Sequence, residues 1–204
     1  MSFYDRRILP WLVDLAMRNK ELTRFRAKVV PAARGTALEI GVGSGRNLPF
    51  YGGEVERLVA VDPSRELLRM AKKRAGGAAF PIQFVEGPGE ELPFDDASID
   101  TAVLTFTLCT IPDPVKALRE VGRVLKPSGE LVFAEHGLAP DENVRRWQRR
   151  LNPLWRPLAG GCNLDRKIDE LIGLGGFRLT AIATGYAKGP RPMSYIYQGR
   201  ARPA

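Results

Sequence analysis

Five short apolar runs punctuate the middle of the chain, at 36–40, 57–61, 82–85, 99–104 and 130–135. Their length and their glycine, proline or charged flanks fit buried strands, and the stretches between them carry helical spacing. Residues 64–75 read as a helix, with Pro63 before it, Ser64 placed to cap it and Gly76-Gly77 after it. Residues 114–125 read as another, with Pro114 in the first turn and Pro127 as the stop. Upstream, Leu12, Leu15, Ala16, Leu22, Phe25, Ala27 and Val29 recur at mostly helical steps across 11–30, until Pro31. Strand–helix alternation of this kind predicts a parallel sheet covered on both faces. Beyond 135 the pattern changes to an arginine-rich helix at 141–152, a second helix at 164–174 and two strand-like runs at 177–186 and 193–200. The short, turn-rich Ala187-Lys188-Gly189-Pro190-Arg191-Pro192 between those runs predicts an antiparallel hairpin. The expected architecture is α/β: a doubly wound, mostly parallel seven-stranded sheet with a C-terminal antiparallel hairpin and an N-terminal helix. One domain is expected over 1–204, made of an N-terminal helical cap (1–34), a ligand-binding core (35–136) and substrate-side helices with the closing hairpin (137–204).

Composition narrows the class without naming a function. A chain of 204 residues, 44% apolar and 26% charged, is an ordinary globular length and make-up with room for one core. No run approaches the ~20 consecutive apolar residues of a membrane span. Pro10 and Asp14 interrupt the apolar stretch behind Arg6 and Arg7, so no secretory leader is predicted. A cytoplasmic protein, soluble or peripheral at a membrane, is the expectation. The 31 basic and 23 acidic side chains leave a formal charge of +8, which favours nucleic acid, an acidic substrate or an anionic lipid surface; genome-driven arginine richness gives the same excess. Cys109 and Cys162 are far apart in sequence and outside any C-x-x-C spacing, so neither a zinc site nor a disulfide is signalled and no metal is predicted.

The sharpest motif is Glu39-Ile40-Gly41-Val42-Gly43-Ser44-Gly45-Arg46-Asn47, where an apolar run ends in a carboxylate and alternating glycines. Glycines there let the backbone turn tightly and approach a ligand, and ligands of such sheets bind beyond the carboxyl ends of the strands. The dinucleotide fingerprint G-x-G-x-x-G requires glycine where this chain has Arg46. A carboxylate at Glu39 would repel pyrophosphate and suits a ligand bearing an ammonium. S-adenosylmethionine carries an ammonium and a sulfonium and no phosphate, so charge favours it over a nicotinamide cofactor. Asp62, with Pro63 after it, ends the second run and can accept from both ribose hydroxyls, a feature shared by the two cofactor classes.

These stretches, with Gly87-Pro88-Gly89-Glu90-Glu91-Leu92-Pro93-Phe94, Asp96-Ala97-Ser98-Ile99-Asp100 and the run from Arg119 to Leu131, resemble the class I S-adenosylmethionine-dependent methyltransferases from Ala37 to Leu131 and beyond. The resemblance implies binding of S-adenosylmethionine, with S-adenosylhomocysteine as product, by Glu39, Gly41, Gly43, Gly45, Asn47, Asp62, Pro63, Gly89, Glu90 and Thr105. Many relatives have an acidic residue, alanine and glutamate in the adenine loop; Pro88-Gly89-Glu90 departs from this, and Gly89 and Glu90 are expected to face the adenine. Outside the core, Asn47-Leu48-Pro49-Phe50-Tyr51, Thr107-Leu108-Cys109, Glu135-His136, Gly161-Cys162-Asn163-Leu164 and the opening Tyr4-Asp5 are similar to the membrane-associated alkyl-thiol S-methyltransferases. That similarity implies a small, hydrophobic acceptor such as an alkyl thiol. Small relatives with the same core methylate phospholipid amines or quinone carbons, and these remain alternatives.

The expected acceptor residues are Tyr4, Cys109, Trp147, Trp155 and Asn163, with His136 as the catalytic candidate. His136 is the sole histidine and sits just past the fifth strand, where it could accept a proton from a thiol or an amine; packing or capping is the competing role. The cysteines could face the pocket or act as small hydrophobes. Val144, Trp147, Leu151, Leu154, Trp155 and Leu158 recur at helical steps opposite Arg145, Arg146, Arg149 and Arg150. That pattern fits a membrane-surface helix, a lid over a greasy substrate, or a plain surface helix broken by Pro153 and Pro157. An RNA-directed enzyme would use the basic charge, but no aromatic-basic stacking module is present and Thr105-Phe106-Thr107-Leu108 stands where a base-methylating Asn-Pro-Pro-Tyr would be. A nicotinamide oxidoreductase lacks its Tyr-x-x-x-Lys or comparable pair. Nucleic acid and protein partners are therefore not expected.

Overall fold

A computed structural model describes Tyr4 and residues 7–204; Asp5, the second residue of the expected opening helix, lies outside the described residues. The chain runs α1 (Leu9–Ala16), α2 (Lys20–Val29), β1 (Gly35–Ile40), β2 (Val55–Asp62), α3 (Arg65–Arg74), β3 (Ile82–Glu86), β4 (Ile99–Thr105), α4 (Pro114–Val124), β5 (Leu125–His136), α5 (Glu142–Leu158), α6 (Ile168–Leu174), β6 (Phe177–Tyr186) and β7 (Tyr195–Pro203). The seven strands form one sheet in the order β3-β2-β1-β4-β5-β7-β6. The first five pair in parallel, and β7 enters antiparallel between β5 and β6.

Alternate residues of a strand face opposite sides of a sheet, and each side has its own buried cluster. Leu38, Val59, Leu104 and Phe133 pack with Leu118 and Val121 of α4 and Ile168 and Ile172 of α6. Ala37, Leu58, Val103 and Val132 pack with Val29 of α2 and Leu68 and Ala71 of α3. The two cores hold the carboxyl ends of β1, β2 and β4 side by side at the point where strand order reverses.

Side-chain caps start α2, α3 and α4. Ser64 Oγ accepts from Leu67 N and starts α3; Asp113 does the same for α4, ahead of Pro114. The single helix expected over 11–30 is two, because Asn19 leaves the helical backbone and its side chain accepts from Glu21 N to begin α2. β5 starts at Leu125 rather than 130, since an irregularity between Ile99 and Thr101 absorbs Pro127 and Gly129. α5 runs through Pro153 and Pro157 to Leu158 instead of stopping near 152. α6 begins at Ile168, because Asn152 and the Arg166 side chain hold the residues before it in a turn. Among the described residues no helix is long and apolar enough to cross a membrane.

Candidate active site

The glycine loop leaves β1 and is shaped from both sides. Gly41, Gly43 and Gly45 all have positive φ, a region costly for any residue with a Cβ. A Cβ on Gly41 would overlap the Thr107 side chain, whereas one on Gly43 meets nothing nearer than the Gly41 carbonyl at 3.9 Å. The backbone is thus pressed against the β4 end at Gly41 and bare at Gly43. Asp62, at the tip of β2, accepts from Gly43 N at 2.9 Å and from Ser64 N at 2.8 Å, tying the loop to the start of α3. Burial pushes its carboxyl up to about 6, against these two hydrogen bonds. Each oxygen of Asp62 retains capacity for a further donor.

Glu39 is fully buried, with one oxygen taken by Asn47 Nδ2 at 2.8 Å and the other by the Tyr51 hydroxyl at 2.7 Å. Burial raises its carboxyl to about 7, while Tyr51, Asn47 and the nearby Arg26 work the other way. Asn47 Nδ2 also donates to Thr105 Oγ1 at 2.8 Å. Its Oδ1 is buried and has no partner. A buried acceptor left open beside a carboxylate fits an ammonium, so the donor set suits S-adenosylmethionine. Each Glu39 oxygen accepts one hydrogen bond and retains capacity for another, and Asn47 is joined to it directly.

The loop has an anchor that the sequence reading passed over. Asp14 of α1 is 2% exposed and accepts from Ser44 Oγ at 2.5 Å, Arg46 at 2.8 Å and Arg18 at 2.9 Å, with Arg74 of α3 3.0 Å away. These partners outweigh the effect of burial and lower its carboxyl to about 2. In sequence Asp14 only interrupts an apolar run, and nothing at that position points to a loop thirty residues on.

In the loop after β3, Gly89 lies so close to β1 that a Cβ would stand 2.7 Å from Ile40 Cγ2. A cleft of about 260 Å³ beside it is lined by Val61, Val85, Gly87, Pro88 and Leu92. Glu90 accepts from Asp113 N at 3.2 Å, and Pro63 is exposed at the head of α3.

At the β4 end, Phe106 adopts φ 56°, a strained conformation for a bulky residue. Its amide donates to Ala134 O at 2.9 Å, and the Arg26 guanidinium lies 5.2 Å from its ring centre. The resulting turn aims the amides of Thr107 and Leu108 at Glu135, which accepts from them at 2.8 and 3.1 Å and is fully buried. Burial raises the Glu135 carboxyl to about 7 in opposition to those amides.

Next to this turn, residues remote in sequence converge. The Sγ atoms of Cys109 and Cys162 and a ring nitrogen of His136 lie within 4.8 Å of one another, with His136 Nε2 2.9 Å from Cys162 Sγ. Asn163 fixes the arrangement, its backbone and side-chain N–H groups both donating to Cys109 O at 2.8 and 2.9 Å. Hydrogen bonding from Cys109 and, beyond it, from His136 holds the Cys162 thiol well below its usual range despite burial. The same sulfur–sulfur contact, then burial, pushes Cys109 up. The absence of ligand-like spacing in the sequence therefore does not describe the fold, in which three ligand-type side chains meet. His136 is not a free imidazole either, because its Nε2 faces Cys162.

The remaining acceptor candidates separate. Trp155 is half-buried and its indole nitrogen lies by Cys162, out of solvent and without an oxygen or nitrogen acceptor. Tyr4 donates to Leu158 O at 2.8 Å. Trp147 is 55% exposed under the Arg150 guanidinium and is not brought to the cluster. The apolar stripe expected on α5 is split, since Val144 and Gln148 are the residues facing the core. Gln148 is buried and bonds Ala139 N, Gly137 O and Pro192 O, fastening α5 to the end of β5.

A doubly wound sheet with this glycine loop, an acidic residue ending β2 and an open amide acceptor defines a cofactor-binding α/β enzyme. The family model described as a methyltransferase domain matches residues 38–133, from β1 to β5. Thiol S-methyltransferase TMT1B of Homo sapiens is 36% identical over 158 residues, 76% of this chain and 62% of that protein. Demethylmenaquinone methyltransferase of Clavibacter sepedonicus is 33% identical over 134 residues, 65% of this chain and 54% of that one. The crystal structure of a SAM-dependent methyltransferase from Aquifex aeolicus superposes with a TM-score of 0.69 at 17% identity, covering 96% of this chain and 98% of that one, and shares the fold. The chain belongs to the class I S-adenosylmethionine-dependent methyltransferases, and S-adenosylmethionine is its cofactor. It spans 55%, 62% and 65% of the length of three thiol S-methyltransferases that it matches.

Proposed function

We propose that this chain moves the methyl group of S-adenosylmethionine to the sulfur of a small hydrophobic thiol. The observation that carries the reading is the Cys109–His136–Cys162 cluster, two residues along from the Thr107 that presses on the glycine loop. A free thiol near pKa ~8.5 is mostly protonated at neutral pH, and the thiolate is the nucleophile. An acceptor of that class must lose its proton before the sulfur attacks, and a soft, sulfur-lined pocket suits a sulfur acceptor better than a quinone carbon or an amine.

S-adenosylmethionine, when bound, supplies an electrophilic methyl on a sulfonium. Asn47 Oδ1 receives its ammonium with the Glu39 carboxylate behind, Asp62 receives the ribose hydroxyls, and the bare backbone at Gly43 admits the ligand. Gly89 and the cleft beside it take the adenine, with Glu90 supporting that loop through Asp113 rather than touching the base. His136 acts through the cluster rather than as an isolated base, and Trp155 holds the apolar part of the acceptor. Exposed Trp11, Leu12 and Leu15 of α1 and Leu154 and Leu158 of α5 suit delivery of such an acceptor from an anionic membrane surface. Incubation with labelled cofactor and a series of alkyl thiols tests the reading: methyl thioethers form, increasingly well as the alkyl chain lengthens. Label found only on a quinone or a lipid amine overturns it.

A further inference from the structure

We propose that Cys109, Cys162 and His136 form a three-donor site for a soft, tetrahedral divalent metal ion of the zinc class, whose fourth ligand comes from outside the chain. The metal site stands on side-chain geometry alone; that its fourth ligand is the acceptor thiol rests on the thiol reading above.

The donors arrive from three separate elements: the turn after β4, the last residue of β5 and the turn after α5. Tetrahedral zinc, with sulfur at ~2.3 Å and nitrogen at ~2.0–2.1 Å, needs donors roughly 3.5 Å apart. Three donors within 4.8 Å, one pair already at 2.9 Å, reach that spacing with small side-chain shifts. Two sulfurs and an imidazole select zinc-like ions over magnesium or calcium, which want oxygen. The nearest carboxylate does not compete, because Glu135 is occupied by the Thr107 and Leu108 amides.

The surroundings are those of a supported ligand set. Arg166 bonds Leu108 O and Ile111 O, and its cation lies near both sulfurs, where it offsets thiolate charge. Asn163 clamps the two cysteine turns together, and Asn152 holds the segment that follows through Leu164 N at 2.9 Å. The Trp155 indole N–H, buried without an oxygen or nitrogen partner, is a donor available to the Cys162 sulfur. Outer-shell donors of this kind are a regular part of metal sites. Among the described residues no further Cys, His, Asp or Glu joins the cluster, so one tetrahedral position has no protein ligand.

That position accounts for thiol activation. The acceptor R–SH coordinates and releases its proton to solvent. Its sulfur electron pair then forms the new C–S bond as the methyl–sulfonium bond breaks, and the bonding pair of that broken bond stays on the sulfur of S-adenosylhomocysteine. The neutral thioether product is a weaker ligand than the thiolate and departs.

The test uses the full chain, reduced and metal-stripped, titrated with cobalt(II) and then with competing zinc. One equivalent of cobalt should bind with thiolate-to-cobalt charge-transfer absorption and be displaced by zinc. Cys109→Ser and Cys162→Ser should each weaken zinc binding by more than the about 10–100-fold that loss of an outer-shell partner costs, and Trp155→Phe by about tenfold. Thermal stabilisation by S-adenosylhomocysteine, retained in each variant, shows that the fold and cofactor site are intact. An alkyl thiol added to the cobalt form should shift the spectrum. Absence of stoichiometric binding, or binding that survives the double cysteine variant, overturns the site. An unchanged spectrum with thiol overturns only the fourth-ligand assignment, and failure to respond to S-adenosylhomocysteine would count against the cofactor reading instead.

Discussion

Replacing Asp62 with asparagine separates the two tasks given to that carboxylate. In the free protein its folded-state value of about 6 lies above the ordinary 3.8, so ionisation is disfavoured by burial. The sign follows: the group favours the fold while protonated, and this contribution is lost as pH rises through about 6. At pH 7 the ionised side chain therefore costs about 3 kcal/mol, at 1.36 kcal/mol for each pKa unit. Asparagine removes that cost, but it can accept from only one of Gly43 N and Ser64 N, leaving a buried donor unpaired at ~1–3 kcal/mol. The two changes nearly cancel, and the ligand-free variant should melt within a few degrees of the wild type. Ligand binding should not be spared. Losing an acceptor of ribose hydroxyls that is charged costs ~1.5–3 kcal/mol, roughly ten- to a hundredfold in affinity for S-adenosylhomocysteine. Since the ligand needs the ionised carboxylate, wild-type affinity should also fall about tenfold for each pH unit below 6. Asp62→Asn should lack that slope, and comparison of the two cancels the titration of Glu39. Calorimetric titration between pH 5 and 8 measures both. Equal affinities at pH 7, or parallel pH profiles, would refute the assignment of the ribose to Asp62.

Gly43 and Gly45 should respond differently. Both have positive φ, so any side chain there is strained. At Gly43 it otherwise meets nothing nearer than 3.9 Å, so Gly43→Val should lose more in affinity for S-adenosylhomocysteine than in stability. A Cβ at Gly45 would also stand 2.9 Å from Leu48 Cδ1 and 3.0 Å from Ala71 Cα, so Gly45→Ala should lower the melting temperature more than it weakens binding. Asp14→Asn should remove about 2 kcal/mol of stability at pH 7, and the wild type should lose the same amount as pH falls from about 4 through about 2, because its folded value is depressed; urea melts across that range check both. His136→Asn should reduce turnover at pH 7 by about a hundredfold or more, with a loss that shrinks toward pH 9 as thiolate forms unaided; equal rates from pH 6 to 9 would remove His136 from the mechanism. Trp155→Ala should raise KM more than it lowers kcat, which steady-state rates with a long-chain thiol will show.

The succession of strands along the chain and several helix starts were readable because they depend on local chemistry. Ser64 and Pro114 mark their helices, and the apolar runs have strand length. The breaks were harder to see. Asn19 splits the first helical stretch through one side-chain bond, and α5 continues past Pro153 because Gln148 and its packing hold it. At the site, the glycine loop and Asp62 were legible since one short segment carries the whole pattern. The Asp14 network and the meeting of Cys109, His136 and Cys162 were not, because each joins segments whose proximity exists only after the sheet has formed. Phe106 shows the same limit: its left-handed backbone depends on Glu135 and Arg26, both distant in sequence.

A competition in one vessel identifies the acceptor. The protein is given labelled S-adenosylmethionine with an alkyl thiol, a demethylated quinone, phosphatidylethanolamine vesicles and RNA together, at equal concentrations of acceptor groups, and the products are separated by mass spectrometry. The label should accumulate in the methyl thioether. Transfer to the quinone, the lipid amine or RNA, with the thiol left unmodified, would contradict it.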